Sequence, residues 1–153
     1  ISNDELFFDI LRTFYHDYAC GAHPTTSDFI NLVEKKTGHS WKSFFDVYLY
    51  KTEVPKLIWY YTNFNPVQAK ELGVAPRRPV IIARWAGVPD NFSMPVEIYC
   101  SDARVSSVLN VTTKTMLFEL PYTMSGKAVE CNKEISYFKN GFTENILKEI
   151  VKR

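Results

Sequence analysis

The stretch that decides the fold runs from Ser93 to Cys100 and reads Ser-Met-Pro-Val-Glu-Ile-Tyr-Cys. Its apolar residues recur at every second position, which is the period of a strand with one buried face and one solvated face. The side chains predicted to face inward are those of Met94, Val96, Ile98 and Cys100, and those predicted to face outward are Ser93, Pro95, Glu97 and Tyr99. Because proline cannot donate to a ladder, Pro95 predicts that this strand lies at a sheet edge.

Short runs of β-branched and aromatic residues continue on both sides of this stretch and are separated by turn residues, as is typical of strands. The seven predicted strands are Leu57 to Thr62, Val80 to Ala86, Ser93 to Cys100, Val105 to Val111, Thr115 to Leu120, Ala128 to Cys131 and Glu134 to Phe138. They predict an antiparallel β-sandwich over residues 55–138. Between the first two strands, the polar stretch from Asn63 to Pro79 is rich in proline and glycine, so we expect a surface loop or a mobile one.

Residues 1–52 follow the helical period instead. A capping-box pattern of Ser2 and Glu5 opens a first helix with an apolar face, hydroxyls from Thr25 to Ser27 cap a second helix that Gly38 ends, and Ser40 caps a third. The apolar residues of the third helix are Trp41, Phe44, Phe45, Tyr48 and Leu49, at positions i, i+3, i+4, i+7 and i+8. With such bulky side chains on one face, this helix must pack against something large.

A last helix is predicted over residues 142–153, where Thr143 offers a cap. Its shared apolar face consists of Ile146, Leu147, Ile150 and Val151. We expect it to dock on its own domain. The sequence therefore predicts an α+β fold with a short helical segment, an antiparallel β-sandwich of about seven strands and a C-terminal helix.

Composition narrows the class of protein. The chain has 153 residues, of which 46% are hydrophobic, enough for one core. Its 18 basic and 17 acidic residues give a net charge of +1, and its basic doublets are isolated, which argues against a nucleic-acid partner. No apolar run reaches the roughly 18 residues that cross a bilayer, so we expect no membrane partner.

The cysteines Cys20, Cys100 and Cys131 are odd in number and widely spaced, so they predict buried thiols rather than a disulfide framework. Metal-ligating residue types gather in one place, at His16, Asp17, Cys20 and His23. His16 and Cys20 lie four apart on a helix and could share a metal with His23. The stronger interpretation is structural, because no fourth ligand follows with recognisable spacing.

Other catalytic signatures are absent from the sequence, including H-E-x-x-H, G-x-S-x-G, the P-loop and G-x-G-x-x-G. Acidic pairs such as Glu144 with Glu149, or Asp4 with Glu5, are expected at solvated helix ends. His39 is expected in a loop at a helix junction. The aromatic clusters at residues 59–61 and at Tyr137-Phe138 are expected to be mostly core, because strands alternate their faces; a stacking platform for sugars or peptides is the alternative.

The junction between the helices and the strands resembles that of the zinc aminopeptidases of the aminopeptidase N family. The matching segments are Thr26-Ser27-Asp28-Phe29, Val33-Glu34, Thr37-Gly38-His39-Ser40, Trp41 to Phe45 and Pro55-Lys56-Leu57. They are similar to the family's "T-x-x-D-F … V-E-x-x-(S/T)-G" helix, its "F-F-x-x-W" helix and the "P-x-L" that starts an immunoglobulin-like sandwich. Phe92 to Glu97 resembles the family's "F-x-M-P-V-E" strand. Tyr48 stands where the family has tryptophan.

This resemblance implies that residues 1–52 are the helical end of a thermolysin-like catalytic domain and residues 55–138 an immunoglobulin-like β-sandwich. The chain would be a non-catalytic C-terminal fragment, and its partner the upstream catalytic domain of the same polypeptide. That domain would remove N-terminal residues from peptides and would hold zinc through H-E-x-x-H and a more distant glutamate. None of these motifs lies here, so no catalytic, cofactor-binding or metal-binding residue is predicted in this chain. Tyr15, Tyr18, Tyr48 and Tyr50 are not candidates merely for being tyrosines.

The same resemblance places the helix of Trp41, Phe44 and Phe45 between the catalytic bundle and the sandwich. In the isolated fragment we expect this face to be bare or to be covered by self-association. Two alternatives stay open. One is a free-standing β-sandwich module that binds peptide or glycan through its rim and the stretch from Asn63 to Pro79. The other is a small metal protein that uses His16, Cys20 and His23.

Overall fold

The computed structural model of the chain describes residues 4–19, 21–100, 104–124, 128–131 and 138–151. In chain order, the helices and strands are α1 (Asp4–Tyr18), α2 (Thr26–Thr37), α3 (Lys42–Tyr50), β1 (Lys56–Asn63), α4 (Pro66–Leu72), β2 (Pro79–Ala86), β3 (Ser93–Cys100), β4 (Val105–Thr112), β5 (Met116–Glu119), β6 (Glu130–Cys131), β7 (Lys139–Phe142) and α5 (Leu147–Val151). Short 3₁₀ turns cover Tyr122–Met124 and Glu144–Ile146. We call α1 to α3 the helical layer.

The strands form two sheets, one with the order β5-β2-β1-β7 and one with the order β4-β3-β6. All neighbouring strands pair antiparallel except β7, which runs parallel to β1. The prediction of an α+β fold with a sandwich-like pair of sheets rich in antiparallel strands is confirmed. The prediction that every strand is antiparallel is wrong at β7.

The predicted strand from Glu134 to Phe138 lies outside the described residues except for Phe138. Strand β7, which begins at Lys139, was not predicted. Gly141 explains the position, because a Cβ there would lie 2.7 Å from Lys56 Cε and 3.0 Å from the Leu57 carbonyl oxygen. Only glycine lets β7 approach β1 this closely.

Strand β3 has the predicted alternation, with Val96, Ile98 and Cys100 buried and Glu97 and Tyr99 exposed. The prediction that it is an edge strand is wrong, since β3 is the middle strand of its sheet. Within the part of the chain that the structure describes, β6 pairs only with Ile98 and Tyr99. Pro95 has no backbone N–H to donate. This is tolerated because the described part of β6 is too short to reach the position beside Pro95.

The core has two parts. The larger one fills the space between the sheets and centres on Trp85, Phe92, Ile98 and Leu57. The smaller one lies on the other face of the four-stranded sheet, where Val80 and Ile82 meet α4 and the C-terminal segment. Strand β2 contributes to both, which explains why it is a nearly continuous apolar run.

Helix α4 lies in the stretch from Asn63 to Pro79, which was predicted to be a loop. The Asn65 side chain accepts hydrogen bonds from the amides of Val67 and Gln68 at 3.0 and 2.9 Å, and Gly73 ends the helix in the left-handed region. With Pro66 at the first helical position, these residues give a complete start and stop signal. Ala69 is fully buried in the smaller core, so this helix is a structural cover of the sheet.

The C-terminal helix docks on its own domain, as expected. Ile146 is buried, Leu147 and Ile150 pack on the smaller core, and Glu149 forms an ion pair with Arg84 at 3.0 Å. The Thr143 side chain accepts a hydrogen bond from the Asn145 amide at 3.3 Å. The side chain of Val151 lies outside the described residues.

In the helical layer, Thr25 and Asp28 form a capping box at the start of α2, and Gly38 ends it with a φ of 66°. Ser2 of the predicted first capping box lies outside the described residues. The prediction that Ser40 caps α3 is wrong. Trp41 occupies the N-cap position, while the Ser40 hydroxyl donates to Glu34 Oε1 at 2.9 Å. Among the described helices, none has the length and apolarity to span a bilayer.

Candidate interaction surface

Helix α3 joins the helical layer to the sandwich. Val47 is 2% exposed and belongs to the core between the sheets. The hydroxyl of the next residue, Tyr48, donates to Met94 Sδ on β3 at 3.5 Å, and burial raises the pKa of this phenol. One face of α3 is therefore fixed to the sandwich.

An adjoining face of α3 meets the other two helices through a series of aromatic contacts. Ring centroids of Phe14 on α1 and Phe29 on α2 lie 5.1 Å apart, and those of Phe29 and Phe45 lie 6.2 Å apart. Phe44 continues the series to Trp41 at 5.8 Å and to Tyr48 at 4.7 Å. Most of these contacts are edge to face, which is favourable for aromatic pairs.

These contacts do not close the helical layer. Between the helices lies an open groove of about 530 Å³, lined by Phe7, Ile10, Phe29, Val33, Trp41, Phe44 and Phe45. Ile10 and Val33 are buried, whereas Trp41, Phe44 and Phe45 remain half-buried. Every lining side chain is apolar, so the groove offers a surface that water solvates poorly.

An apolar stripe on α1 extends the groove. It consists of Phe7, Phe8, Leu11 and Tyr15, with exposed fractions of 44%, 54%, 40% and 76%. Residues 7, 11 and 15 stack one above the other at intervals of four, and Phe8 lies beside them. We call the groove and this stripe together the helical face.

Polar groups around the helical face are engaged within the chain. Lys36 Nζ lies 2.8 Å from Asp9 Oδ2, and its hydrogen bond lowers the pKa of that carboxyl. Glu34 accepts from the Trp41 amide at 2.8 Å and from the Ser40 hydroxyl, which lowers the pKa of Glu34. These bonds fix the polar side chains at the edge of the helical face. Within the described residues, the apolar side chains of this face are the ones that stay uncovered.

The metal site considered at the end of α1 has no support. The His16 side chain is 90% exposed and contacts Asp17 at 3.5 Å, His23 lies in an exposed segment before α2, and Cys20 lies outside the described residues. No three metal-ligating side chains come together in the described ranges. His39 lies in the loop after α2 with its ring edge-on to Trp41, at 5.6 Å.

The acidic pairs do not form an acid–base site. Glu149 points toward the sheet, where Arg84 and the Thr115 hydroxyl hold it, whereas Glu144 is exposed in the preceding turn. Asp4 and Glu5 are exposed in the first turn of α1. Buried Cys100 and Cys131 carry free thiols, and burial raises the pKa of Cys131 to about 12, so this thiol is not a nucleophile at neutral pH.

The aromatic cluster on β1 is mostly core, as expected. Trp59 is 4% exposed and donates to Asn140 Oδ1 at 2.5 Å, and the Tyr61 hydroxyl donates to the Met124 carbonyl at 2.5 Å. Half-buried Tyr60 packs on Phe142. Tyr137 of the second cluster lies outside the described residues, and Phe138 packs on Trp85 at 5.1 Å. The described residues of these two clusters therefore pack mostly within the core.

A second groove of about 420 Å³ lies between α3 and the sheet of β3 and β4. Its walls are His39, Ser40, Trp41, Ser43, Phe44, Ser93, Met94, Pro95 and Asn110. It mixes aromatic side chains with hydroxyl and amide groups, and it shares Trp41 and Phe44 with the helical face.

The spacing of Trp41, Phe44 and Phe45 predicted the central part of the helical face. The exposed Phe8 and the contact between Tyr48 and Met94 were missed. Adjacent Phe7 and Phe8 could have indicated an apolar face wider than one neighbouring helix covers. In the comparisons with known proteins, no protein-family model and no curated protein matches this chain.

Proposed function

We propose that this chain is a non-catalytic C-terminal fragment of a zinc-dependent aminopeptidase and that it supports the catalytic domain. The helical face is the observation that carries the proposal. It is a contiguous apolar surface on the helices that precede the sandwich, and the described part of the chain does not cover it. In this proposal the upstream catalytic domain of the same polypeptide covers it.

The position of α3 supports this role. Val47 and Tyr48 fix the helix to the sandwich, and Trp41, Phe44 and Phe45 line the groove on the adjoining face. A domain packed into the groove would thus be held at a set position relative to the sheets. Full burial of one large apolar side chain is worth about 1.5 to 3 kcal/mol, so three or four such side chains can join two domains.

We further propose that the sandwich is of the immunoglobulin type and that any zinc is held by the upstream domain. The two sheets with mostly antiparallel pairing support the first part. The residues described here do not fit a zinc site, because they bring no three suitable ligands together. The chain's own residues would position the catalytic domain and would take no part in peptide hydrolysis.

The coding sequence immediately upstream of Ile1 gives the most direct test. We expect it to encode H-E-x-x-H, a distant glutamate and G-x-M-E-N, the segment with which the aminopeptidase N family binds the free amino terminus of its substrate. An upstream reading frame without these motifs contradicts the proposal. The purified chain should release no residue from aminoacyl substrates, with or without added zinc, and zinc-dependent release would contradict the assignment of catalysis to the upstream domain.

A hydrophobic dye tests the helical face itself. The wild-type chain should bind the dye or cover the face by self-association through Trp41, Phe44 and Phe45. A variant with Phe7→Gln, Leu11→Gln and Tyr15→Gln, which we call the α1 variant, should bind less dye. Val67→Gln, which replaces an exposed apolar side chain on α4, is the matched control. A monomeric wild-type chain without dye binding contradicts the proposal.

A peptide- or glycan-binding module remains the second candidate, and the groove between α3 and β3 is the observation that favours it. The stretch from Asn63 to Pro79 supports it less, because α4 within it covers the sheet. Titration with peptide and oligosaccharide libraries should give saturable shifts of the Trp41 indole signal if this candidate holds. No shift at millimolar ligand would eliminate it.

A further inference from the structure

Strand β4 forms one edge of the three-stranded sheet. In the described residues its only strand partner is β3, which pairs with it over its full length from Val105 to Thr112. The strand reads Val-Ser-Ser-Val-Leu-Asn-Val-Thr and contains no proline and no charged residue. Edge strands are ordinarily protected by such residues or by being short, and β4 has neither protection.

The register shows which backbone groups face the open edge. Pro95 pairs with Asn110 and has no N–H, so this pair fits the position where β3 and β4 do not exchange hydrogen bonds. The N–H and C=O of Asn110 then point away from β3. By the period of two, those of Ser106 and Val108 do the same.

The outer side chains of the same residues suit a symmetric partner. Ser106, Val108 and Asn110 are all exposed, and Val108 is 64% exposed although it lies in the middle of the strand. Val108 has the Ser106 hydroxyl two residues before it and the Asn110 amide two residues after it. When a second copy of the strand runs in the opposite direction, valine can face valine and each hydroxyl can face an amide.

From this edge we propose that two copies of the chain pair through β4, antiparallel, around a twofold axis at Val108. Val108 then faces the partner's Val108, and Ser106 faces the partner's Asn110 on both sides of the axis. On the inner face, Val105 faces the partner's Val111. The two three-stranded sheets become one continuous sheet of six strands, with no like charges opposite each other across the join.

Neighbouring registers are worse. An axis at Leu109 would place each Val108 opposite the partner's Asn110, which leaves the valine against an amide. An axis at Ser107 would place Val108 opposite the partner's Ser106. Only the axis at Val108 pairs apolar with apolar and polar with polar on the exposed face.

Sedimentation equilibrium of the full chain tests the pairing. Val108→Lys places two ammonium groups opposite each other at the axis and should lower the association constant at least tenfold. Val67→Lys is the control, because Val67 is 68% exposed on α4, which covers the other sheet, and its substitution should leave association unchanged. Circular dichroism checks that both variants fold.

Cysteine cross-linking tests the register. In a Cys20→Ser background, Val108→Cys should give a covalent dimer on mild oxidation, because directly opposed strand residues have Cα atoms about 4.5 to 5.5 Å apart, within disulfide range. Ser106→Cys alone should not cross-link, since its own mate is four residues away along the strands. The pair Ser106→Cys with Asn110→Cys should restore cross-linking.

The helical face is separate from the edge of β4. The α1 variant therefore distinguishes association through the helical face from pairing through β4. Dimers that persist in the α1 variant and disappear with Val108→Lys support pairing through β4, whatever becomes of the proposed function. In the α1 variant background, a monomer, association that survives Val108→Lys, assemblies larger than two, or equal cross-linking of Ser106→Cys and Val108→Cys would each overturn it.

Discussion

Strand β2 and helix α1 are both rich in apolar residues, yet the chain buries them very differently. Six of the eight residues of β2 are buried, between the inner core and the cover formed by α4 and α5. In the fifteen residues of α1 only Ile10 is buried, while four large apolar side chains are exposed. Strand β2 is therefore covered on both faces within the chain, whereas α1 leaves much of its apolar surface in water.

The largest expected difference between these regions is in stability. Trp85 is 1% exposed, donates to the Met94 carbonyl at 3.3 Å and packs on Phe92 and Phe138. Trp85→Ala should lower the free energy of unfolding by about 3 to 5 kcal/mol, measured by urea denaturation. Phe8→Ala on α1, with its side chain half in solvent, should cost about 0.5 kcal/mol. If Trp85→Ala and Phe8→Ala lowered the free energy of unfolding equally, the difference in burial between the sandwich and α1 would be contradicted.

The next effect concerns the parallel pairing of β1 and β7. Gly141→Ala should lower the free energy of unfolding by about 1 to 3 kcal/mol, because the new methyl group meets the Leu57 carbonyl oxygen at 3.0 Å and Lys56 Cε at 2.7 Å. Adding Lys56→Ala removes only the side-chain overlap, so most of the loss should remain. Full recovery in the double variant would show that the backbone contact is unimportant.

Much of the sandwich was predictable from the sequence. The period of two located β1 to β5 within two residues of their bounds, and it separated the buried from the exposed side of β3 correctly. Helix α4 was missed although the sequence contains its start signal, Asn65, Pro66 and Gln68, and its stop signal, Gly73. The many proline and glycine residues of the whole stretch favoured a loop. Neither the position of β7 nor its direction has a local signal. Both depend on Gly141 meeting Lys56, a contact 85 residues apart in sequence.

The helical face was predictable only in part. Helical spacing shows that a face is apolar, and it correctly identified Trp41, Phe44 and Phe45. It does not show how much of that face the neighbouring helices cover. The division of α1 into buried Ile10 and the exposed stripe arises from the angle at which α2 and α3 pack, which no local pattern encodes.

A smaller difference should appear in acid. Bonds from Trp41 and Ser40 lower the pKa of Glu34 below its usual 4.5, and those from Thr25 lower the pKa of Asp28 below 3.8. Carboxyls with lowered pKa values stabilise the folded state above their unfolded-state pKa values, and this contribution disappears as the pH falls through the folded values. Below about pH 4.5 the helical layer should therefore loosen before the sandwich, in whose described residues no polar side chain is buried.

The tryptophans can report this difference by NMR. The indole signal of Trp41 should shift and broaden between pH 5 and pH 3 while those of Trp59 and Trp85 stay in place. Glu34→Gln should shift the Trp41 signal already at pH 7 and weaken its pH dependence. Simultaneous loss of all three signals would mean that the two regions unfold as one unit.

The smallest effect on stability is expected from the α1 variant, and it bears most directly on the comparison. Phe7, Leu11 and Tyr15 are 40% to 76% exposed, and glutamine has a high helix propensity. The three substitutions together should lower the free energy of unfolding by about 1 to 2 kcal/mol, less than about 1 kcal/mol for each side chain, because 40% to 76% of each is already in water. Dye binding should nevertheless fall. A loss comparable to that of Trp85→Ala would show that α1 is already buried in the isolated chain, and the helical layer would then need no partner.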